Sequence, residues 1–298
     1  MFSSLVSNGS PVRPGEHNAV VPWWSFTKTV LSAASLSLVR DGLVRLDDPV
    51  LEGPFTLRQL LRHETGLADY SELGEYHAAI ARGEAPWPAD EMLQRLDATR
   101  LRYAPGVGWR YSNVGYMYVA RLIERVTGLA LEEALMQQAL APLDLSRVRA
   151  AKTRADLDGV CLGAATAYDP GWVYHGLLVG PLSDAALFLD RLLAGHLLPS
   201  SLLQEMQTAR ILGGPLLERP WTSPGYGLGL MQGVVNMGLT LCGHTGAGPG
   251  SVVAVYRSVY GVDTASCAVF HMGSDEGVAE AEIAARLSEI LKPETSGD

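Results

Sequence analysis

Lysine is almost missing from this chain. Three of its 23 basic residues are lysines (Lys28, Lys152 and Lys292) and twenty are arginines. Long apolar runs are missing too: no stretch of about 18 such residues exists, so no transmembrane helix is expected. The first nine residues, Met1-Phe2-Ser3-Ser4-Leu5-Val6-Ser7-Asn8-Gly9, carry neither a basic region nor a long apolar core. They do not read as a secretory signal, and a cytoplasmic setting is expected. Cysteine is scarce and odd in number. Cys161, Cys242 and Cys267 are widely spaced, which argues against a disulfide framework and a zinc site. Cys242 and Cys267 lie in apolar strand-like runs and are expected to be buried and reduced. Excess positive charge is absent. A formal net charge of −9 argues against nucleic acid or an anionic membrane as the main partner.

The 298 residues suffice for one large domain or two of moderate size. Hydrophobic content of 47% with 18% charge fits a globular protein with a sizeable core. In a chain that prefers arginine, a retained lysine is informative. Lys28 follows Ser25 by three residues in Trp24-Ser25-Phe26-Thr27-Lys28. Lysine can be desolvated until it loses its proton, and arginine cannot. A serine with such an amine one helical turn on is the minimal equipment for a nucleophile and its base. Ser-x-x-Lys is a weak signal in lysine-rich chains, but here it occurs once.

The fold expected is α/β, in the α+β sense. An antiparallel sheet built from both chain ends is flanked by helices and carries an inserted, mainly helical region. Residues 1–54 and 216–298 are assigned to the sheet region and 55–215 to the helical one, with a cleft at the junction. Residues 1–24 read as short strands broken at Asn8-Gly9 and Pro14-Gly15. Residues 25–40 read as a helix apolar nearly all round, hence buried, with Gly42 suited to its left-handed C-cap. Thr56 is an N-cap for 57–63, and helical spacing recurs over 114–126, 130–140 and 183–194. Gly/Pro-rich joins are expected at 103–109 and 168–181. Runs at Tyr226–Val235, Gly238–Cys242, Ser251–Arg257 and Thr264–Met272 read as an antiparallel meander. A closing helix over 276–291 places Val278, Ile283, Leu287, Ile290 and Leu291 on one side.

Two further segments carry chemistry. One is Pro105-Gly106-Val107-Gly108-Trp109-Arg110-Tyr111-Ser112-Asn113; the other is Gly243-His244-Thr245-Gly246-Ala247-Gly248. With Ser25-Phe26-Thr27-Lys28 they match, in order and spacing, the Ser-x-x-Lys, Tyr-x-Asn and Lys/His-Thr-Gly motifs. The chain therefore resembles the serine β-lactamase and penicillin-binding-protein superfamily. It is most similar to the class C branch, which also holds D-alanyl-D-alanine carboxypeptidases, D-amino-acid amidases and small-ester esterases. The resemblance spans roughly residues 20–290. Asp41-Gly42-Leu43, Leu46-Asp47-Asp48-Pro49, Leu60-Leu61-Arg62-His63-Glu64-Thr65-Gly66-Leu67 and Ile123-Glu124-Arg125-Val126-Thr127-Gly128 add to it.

The resemblance implies a β-lactamase/transpeptidase-like fold and roles for named residues. Ser25 is the nucleophile, Lys28 its base, and Tyr111 passes the proton to the leaving group. Asn113 binds Lys28 and the substrate, and Thr245 hydrogen-bonds a substrate carboxylate or carbonyl. Gly246 leaves room beside the strand, and the Ala247 N–H joins that of Ser25 in an oxyanion hole. Trp24 touches substrate. His244 replaces the lysine most relatives carry, so a titratable group stands where a permanent cation would hold a carboxylate. No segment matches the class A loop with its deacylating glutamate. His63, His175 and His271 are read as structural, Trp23, Trp109, Trp172 and Trp221 as core or cleft wall, and the Arg-rich stretch 95–110 as a solvated face. Three functional readings follow. The first is an esterase or amidase acting through an acyl-enzyme. The second is a β-lactamase or D-alanyl-D-alanine carboxypeptidase. The third is a penicillin-binding sensor that stays acylated. The partner expected is a small ester, amide or lactam, with no metal or cofactor.

Overall fold

A computed structural model of the protein describes residues 1–13, 18–163 and 168–291. The strands are β1 (Phe2–Ser7), β2 (Ser10–Pro11), β3 (Val20–Pro22), β4 (Arg149–Ala151), β5 (Leu177–Pro181), β6 (Arg210–Ile211), β7 (Trp221–Tyr226), β8 (Met231–Val235), β9 (Thr240–Gly248), β10 (Ser251–Tyr260) and β11 (Asp263–His271). Eight of them form one antiparallel sheet in the order β2-β1-β11-β10-β9-β8-β7-β6. Both chain ends meet in it, Phe2 lying opposite Phe270 and Leu5 opposite Cys267. The β1–β2 hairpin turns at Asn8 and Gly9, at φ 47° and 80°. Asn-Gly tolerates two such left-handed positions, as a type I′ turn requires. The second expected break, Pro14-Gly15, lies outside the described residues.

The helices are α1 (Thr27–Arg40), α2 (Leu57–Leu61), α3 (Gly74–Ala81), α4 (Ala89–Arg95), α5 (Asn113–Thr127), α6 (Leu131–Leu135, continued by a π turn Met136–Leu140), α7 (Leu182–Leu193), α8 (Ser200–Gln207) and α9 (Glu276–Leu291). Every residue of α1 from Thr27 to Leu38 is buried, as an all-round apolar helix must be. It stops where Gly42 turns left-handed at φ 74° and Leu43 N–H reaches back to Leu38 C=O at 3.0 Å. α2 starts in a capping box between Thr56 and Gln59. α9 covers one face of the sheet, its Ile283, Ala284, Leu287 and Leu291 packing with Leu241, Ala254 and Val269. Val278, expected on that face, is 40% exposed instead. α7 packs against β1, β10 and β11 on the opposite face, through Phe188 and Leu189.

Two differences from the expected layout bear on the site. The stretch 168–181 is not all join: Leu177–Pro181 is the fully buried β5, central in a second sheet β3-β5-β4. Leu177, Leu178 and Val179 between two glycines carry no period that separates a buried strand from an irregular segment. β9 also runs on through Gly248, six residues beyond the expected run Gly238–Cys242, so the Gly243–Gly248 segment belongs to the strand. Among the described residues no helix is long and apolar enough to cross a membrane.

Candidate active site

β3 pairs with β5, Val21 opposite Gly180, and leads straight into a 3₁₀ turn, Trp24–Phe26, from which α1 continues. Ser25 sits in that turn, half-buried, and Lys28 follows one turn later on the same side. Trp24 adopts φ 38°, a left-handed value costly for a bulky residue. The surroundings hold it there. Its indole N–H donates to Ser251 Oγ at 3.1 Å, and its ring meets Tyr168 edge-on at 5.4 Å. A Cβ on Gly248 would come within 2.5 Å of that ring.

The three motif segments converge here. Lys28 is fully buried, and its Nζ lies 3.0 Å from Ser25 Oγ, 2.7 Å from Asn113 Oδ1 and 3.1 Å from His175 Nε2. Asn113 opens α5, where Ser112 is the N-cap. Its amide orientation is set by Asp69, whose two carboxylate oxygens accept from Asn113 Nδ2 at 3.1 Å each. The Tyr111 hydroxyl is hydrogen-bonded to Ser25, and its ring stands 5.1 Å from Lys28 Nζ. β9 passes alongside. Its pairing with β8 ends at Gly243, while pairing with β10 continues to Gly248, so the edge from His244 to Gly248 faces the cleft. A Cβ on Gly246 would lie 2.4 Å from the Ser25 backbone nitrogen.

The electrostatics divide the two hydroxyl-facing groups. Desolvation pulls the Lys28 ammonium down to about 7, against an opposing pull from Asp69. Desolvation holds the Tyr111 phenol well above its ordinary value, although the Ser25 hydrogen bond works the other way. Near pH 7 the amine is therefore divided between its charged and neutral forms, while the phenol on the other side of Ser25 Oγ stays protonated. Environments that push two groups apart in this manner assign base and acid.

His244 does not behave as the sequence suggested. It is 1% exposed, and burial, followed by the nearby Lys28 charge, pulls it to about 3. Its Nδ1–H donates to Thr245 C=O at 2.7 Å and its Nε2 accepts from the Tyr226 hydroxyl at 3.0 Å. That hydroxyl in turn accepts from His63 Nε2 at 3.2 Å, and His63 Nδ1 accepts from the Ser112 N–H at 3.1 Å. This tautomer assignment satisfies every member of the chain. The expected titratable cation is thus a neutral, fully bonded ring. Thr245 differs as well. Its hydroxyl donates to Glu280 Oε1 on α9 at 2.5 Å and lies 2.8 Å from the Tyr256 hydroxyl. Glu280, wholly buried, also accepts from Trp221 Nε1 at 2.9 Å and pairs with Arg219. With its hydrogen on a carboxylate, Thr245 has none to offer a substrate carboxylate.

Two cavities meet at Ser25, and Ser71, Asn113 and Ala247 line both. The larger, about 780 Å³, is walled by Trp109, Tyr111, Leu212, Leu216, Tyr226 and Met231. Its two arginines are engaged, Arg210 with Glu64 at 3.2 Å and Arg219 with Glu276 at 2.6 Å. The smaller, about 380 Å³, is aromatic, with Trp24, Tyr70, Tyr76 and Tyr168 in its wall and His175 at its base. The His63 ring packs at a tilt against Tyr111, 4.3 Å between ring centres, whereas His271 ends β11 outside both cavities. Sequence reasoning missed Asp69, Tyr226 and Glu280, and it read His175 as structural. None stands in a motif or at a telling spacing; only the three-dimensional approach of distant segments marks them.

Comparison with known proteins gives the family and the fold. The Beta-lactamase family model matches residues 3–286, and the chain belongs to the β-lactamase family. Among curated proteins it is similar to esterase EstB of Burkholderia gladioli, 30% identical over 168 residues that make up 48% of this chain and 42% of that one. It is also 30% identical to a D-aminopeptidase of Brucella ovis over 207 residues, 66% of this chain and 38% of the other. The chain thus spans about two fifths of the length of these relatives. Among solved structures, a D-stereospecific amidohydrolase from Streptomyces shares the fold with a TM-score of 0.75 at 24% identity, covering 99% of this chain and 94% of that one.

Proposed function

We propose that this protein is a serine hydrolase that forms an acyl-enzyme on Ser25 and acts on uncharged esters or amides. The observation that carries the reading is the buried Lys28 amine 3.0 Å from Ser25 Oγ, with its pKa drawn down to about 7. Lys28 Nζ takes the hydroxyl proton as Ser25 Oγ bonds to the substrate carbonyl carbon. The carbonyl oxygen, now negative, is received by the N–H groups of Ser25 and Ala247. Tyr111 donates its proton to the leaving oxygen or nitrogen as that bond breaks, and is reprotonated from the Lys28 ammonium. Water then attacks the acyl carbon as Lys28 Nζ takes its proton, and the Ser25 Oγ–carbon bond breaks as that proton is passed to Ser25 Oγ. Asn113 holds Lys28 through its oxygen, while Trp24 forms part of the wall for one end of the substrate.

The polar lining favours esters and amides over carboxylate-bearing lactams and peptides. Among the described residues lining the larger cavity, none of the side chains expected to hold a carboxylate is free to do so: His244 is neutral, Thr245 is committed to Glu280, and both arginines are paired. Relatives named esterase and D-aminopeptidase support cleavage of an ester or amide bond. Intact-mass spectrometry after mixing with p-nitrophenyl acetate and, separately, a penicillin tests this. Ester turnover with a transient adduct on the Ser25 peptide is expected. Penicillin turnover at a comparable rate would favour the lactamase reading, and a lasting penicillin adduct the sensor reading. Labelling that survives in Ser25→Ala would remove the assignment altogether.

A further inference from the structure

Lys28 Nζ has three polar neighbours, at 2.7–3.1 Å. A neutral amine offers two N–H donors and one lone pair. If it is to take a proton from Ser25, the lone pair must face Ser25 Oγ, and both N–H groups need acceptors elsewhere. Asn113 Oδ1 is one, held as an acceptor because Asn113 Nδ2 donates to Asp69. The second is His175 Nε2 at 3.1 Å.

We infer that His175 is a positioning residue for Lys28: its Nε2 accepts an amine N–H, turning the lone pair onto Ser25 Oγ, and then accepts from the ammonium formed by proton transfer. The inference rests on the proposed hydrolase reading. It fixes the histidine's tautomer. The proton must be on Nδ1, because Nε2–H would donate into the lone pair and block Ser25. Nδ1 is buried and has no hydrogen-bond partner. A buried ring nitrogen left unpaired is unfavourable for stability alone, and such groups are rare outside functional positions. Burial keeps His175 neutral, pulling it well below its usual value, with the Lys28 charge next in importance. It is therefore an acceptor throughout the working range.

Other groups also face Lys28. Asp69 acts through Asn113, and the Tyr111 and Tyr116 rings stand 5.1 and 5.7 Å from Nζ. His63 and His244 lie behind them, both kept neutral by burial, with Tyr226 bridging the two. Of these only Asp69 is an anion, and its carboxylate is occupied by Asn113 and the Ser71 N–H.

The test measures the single-turnover acylation rate of Ser25 by p-nitrophenyl acetate between pH 5 and 9. In His175→Leu the plateau should fall about 10²-fold, as for a misoriented reacting group. Its rising limb should move down by about one pH unit, because the ammonium loses an acceptor. A merely structural loss that let water in would move the limb up, toward the usual lysine value. A limb moved up, or left in place, overturns the inference. His175→Gln can put an amide oxygen where Nε2 stands. It should recover the plateau to within about fivefold, with the limb restored; a Gln variant as slow as Leu overturns the inference, also if the Leu variant does not fold. Nitrogen NMR of the wild-type imidazole should show the proton on Nδ1, and an Nε2–H tautomer refutes the role. Failure to acylate Ser25 in the wild type would instead remove the hydrolase reading. Acylation of Ser25 with His175 variants unchanged removes only this inference.

Discussion

Lys28 and Tyr111 flank one serine hydroxyl, and burial drives them in opposite directions. The amine is brought to about 7 and the phenol is held protonated. The catalytic limb should therefore follow Lys28: kcat/KM for a neutral ester is expected to rise with pH and reach half its plateau near pH 7. A limb near 10 would mean the amine is not desolvated. Lys28→Arg keeps a charge that never leaves, so acylation should fall by several orders of magnitude. Lys28→Met controls for the bulk of the guanidinium and should be equally inactive with an unchanged circular dichroism spectrum. Tyr111→Phe keeps the ring on His63 and should alter stability by about 1 kcal/mol. It should cost about 10²–10⁴ in kcat if the hydroxyl carries protons. A kcat within a few-fold of wild type would leave the tyrosine a packing residue.

At the scale of elements, the site depends on how closely β9 approaches the turn before α1. Gly246→Ala would set a methyl 2.4 Å from the Ser25 backbone nitrogen, so strand and turn must separate. Acylation is expected to drop about 10²-fold, a loss typical of displacement by about 1 Å. Rates within threefold of wild type, with an unchanged melting temperature, would show that the approach is not required. α9 holds the same strand from behind through Glu280. Glu280→Ala would leave Arg219 with Glu276 as its remaining partner and Trp221 Nε1, Thr245 and Tyr256 without their shared acceptor. Breaking a buried pair in this way costs about 3–5 kcal/mol, readable as a lowered urea midpoint. A loss under about 1 kcal/mol would mean that the cluster re-pairs or takes up water.

Across the whole molecule, three buried neutral histidines, His63, His175 and His244, make the fold sensitive to acid. Each has a folded-state pKa below its unfolded value of about 6.5. Below that value the unfolded chain binds protons that the native state refuses, so stability rises with pH. The contribution is fully present above pH 6.5 and is lost as pH falls toward the folded values, about 3 for His244. The slope approaches about 1.4 kcal/mol per pH unit for each histidine. Urea titrations between pH 7 and 5 should show it, and His244→Gln should make it shallower by one proton's worth. A flat profile over that window would mean that these rings are hydrated or already charged.

The sequence alone determined a good part of this. Ser25, Lys28, Tyr111 and Asn113 lie in local patterns, a helix start and a Pro-Gly turn before an N-cap, and the 243–248 segment stands out by its glycines, though not as the strand it forms. Such features are written in neighbouring residues, as were the all-round apolar α1, the Thr56 cap and the Asn8-Gly9 turn. Only the tertiary structure decided the rest. Whether His244 is a cation depends on its burial beside Tyr226, whether Thr245 can meet a substrate depends on Glu280, 35 residues on, and whether His175 matters depends on a contact 147 residues distant in the chain. Protonation and hydrogen-bond commitment are properties of an assembled environment. Desolvation and pairing arise from segments that approach only when the chain is folded, and no period or spacing in the sequence carries them.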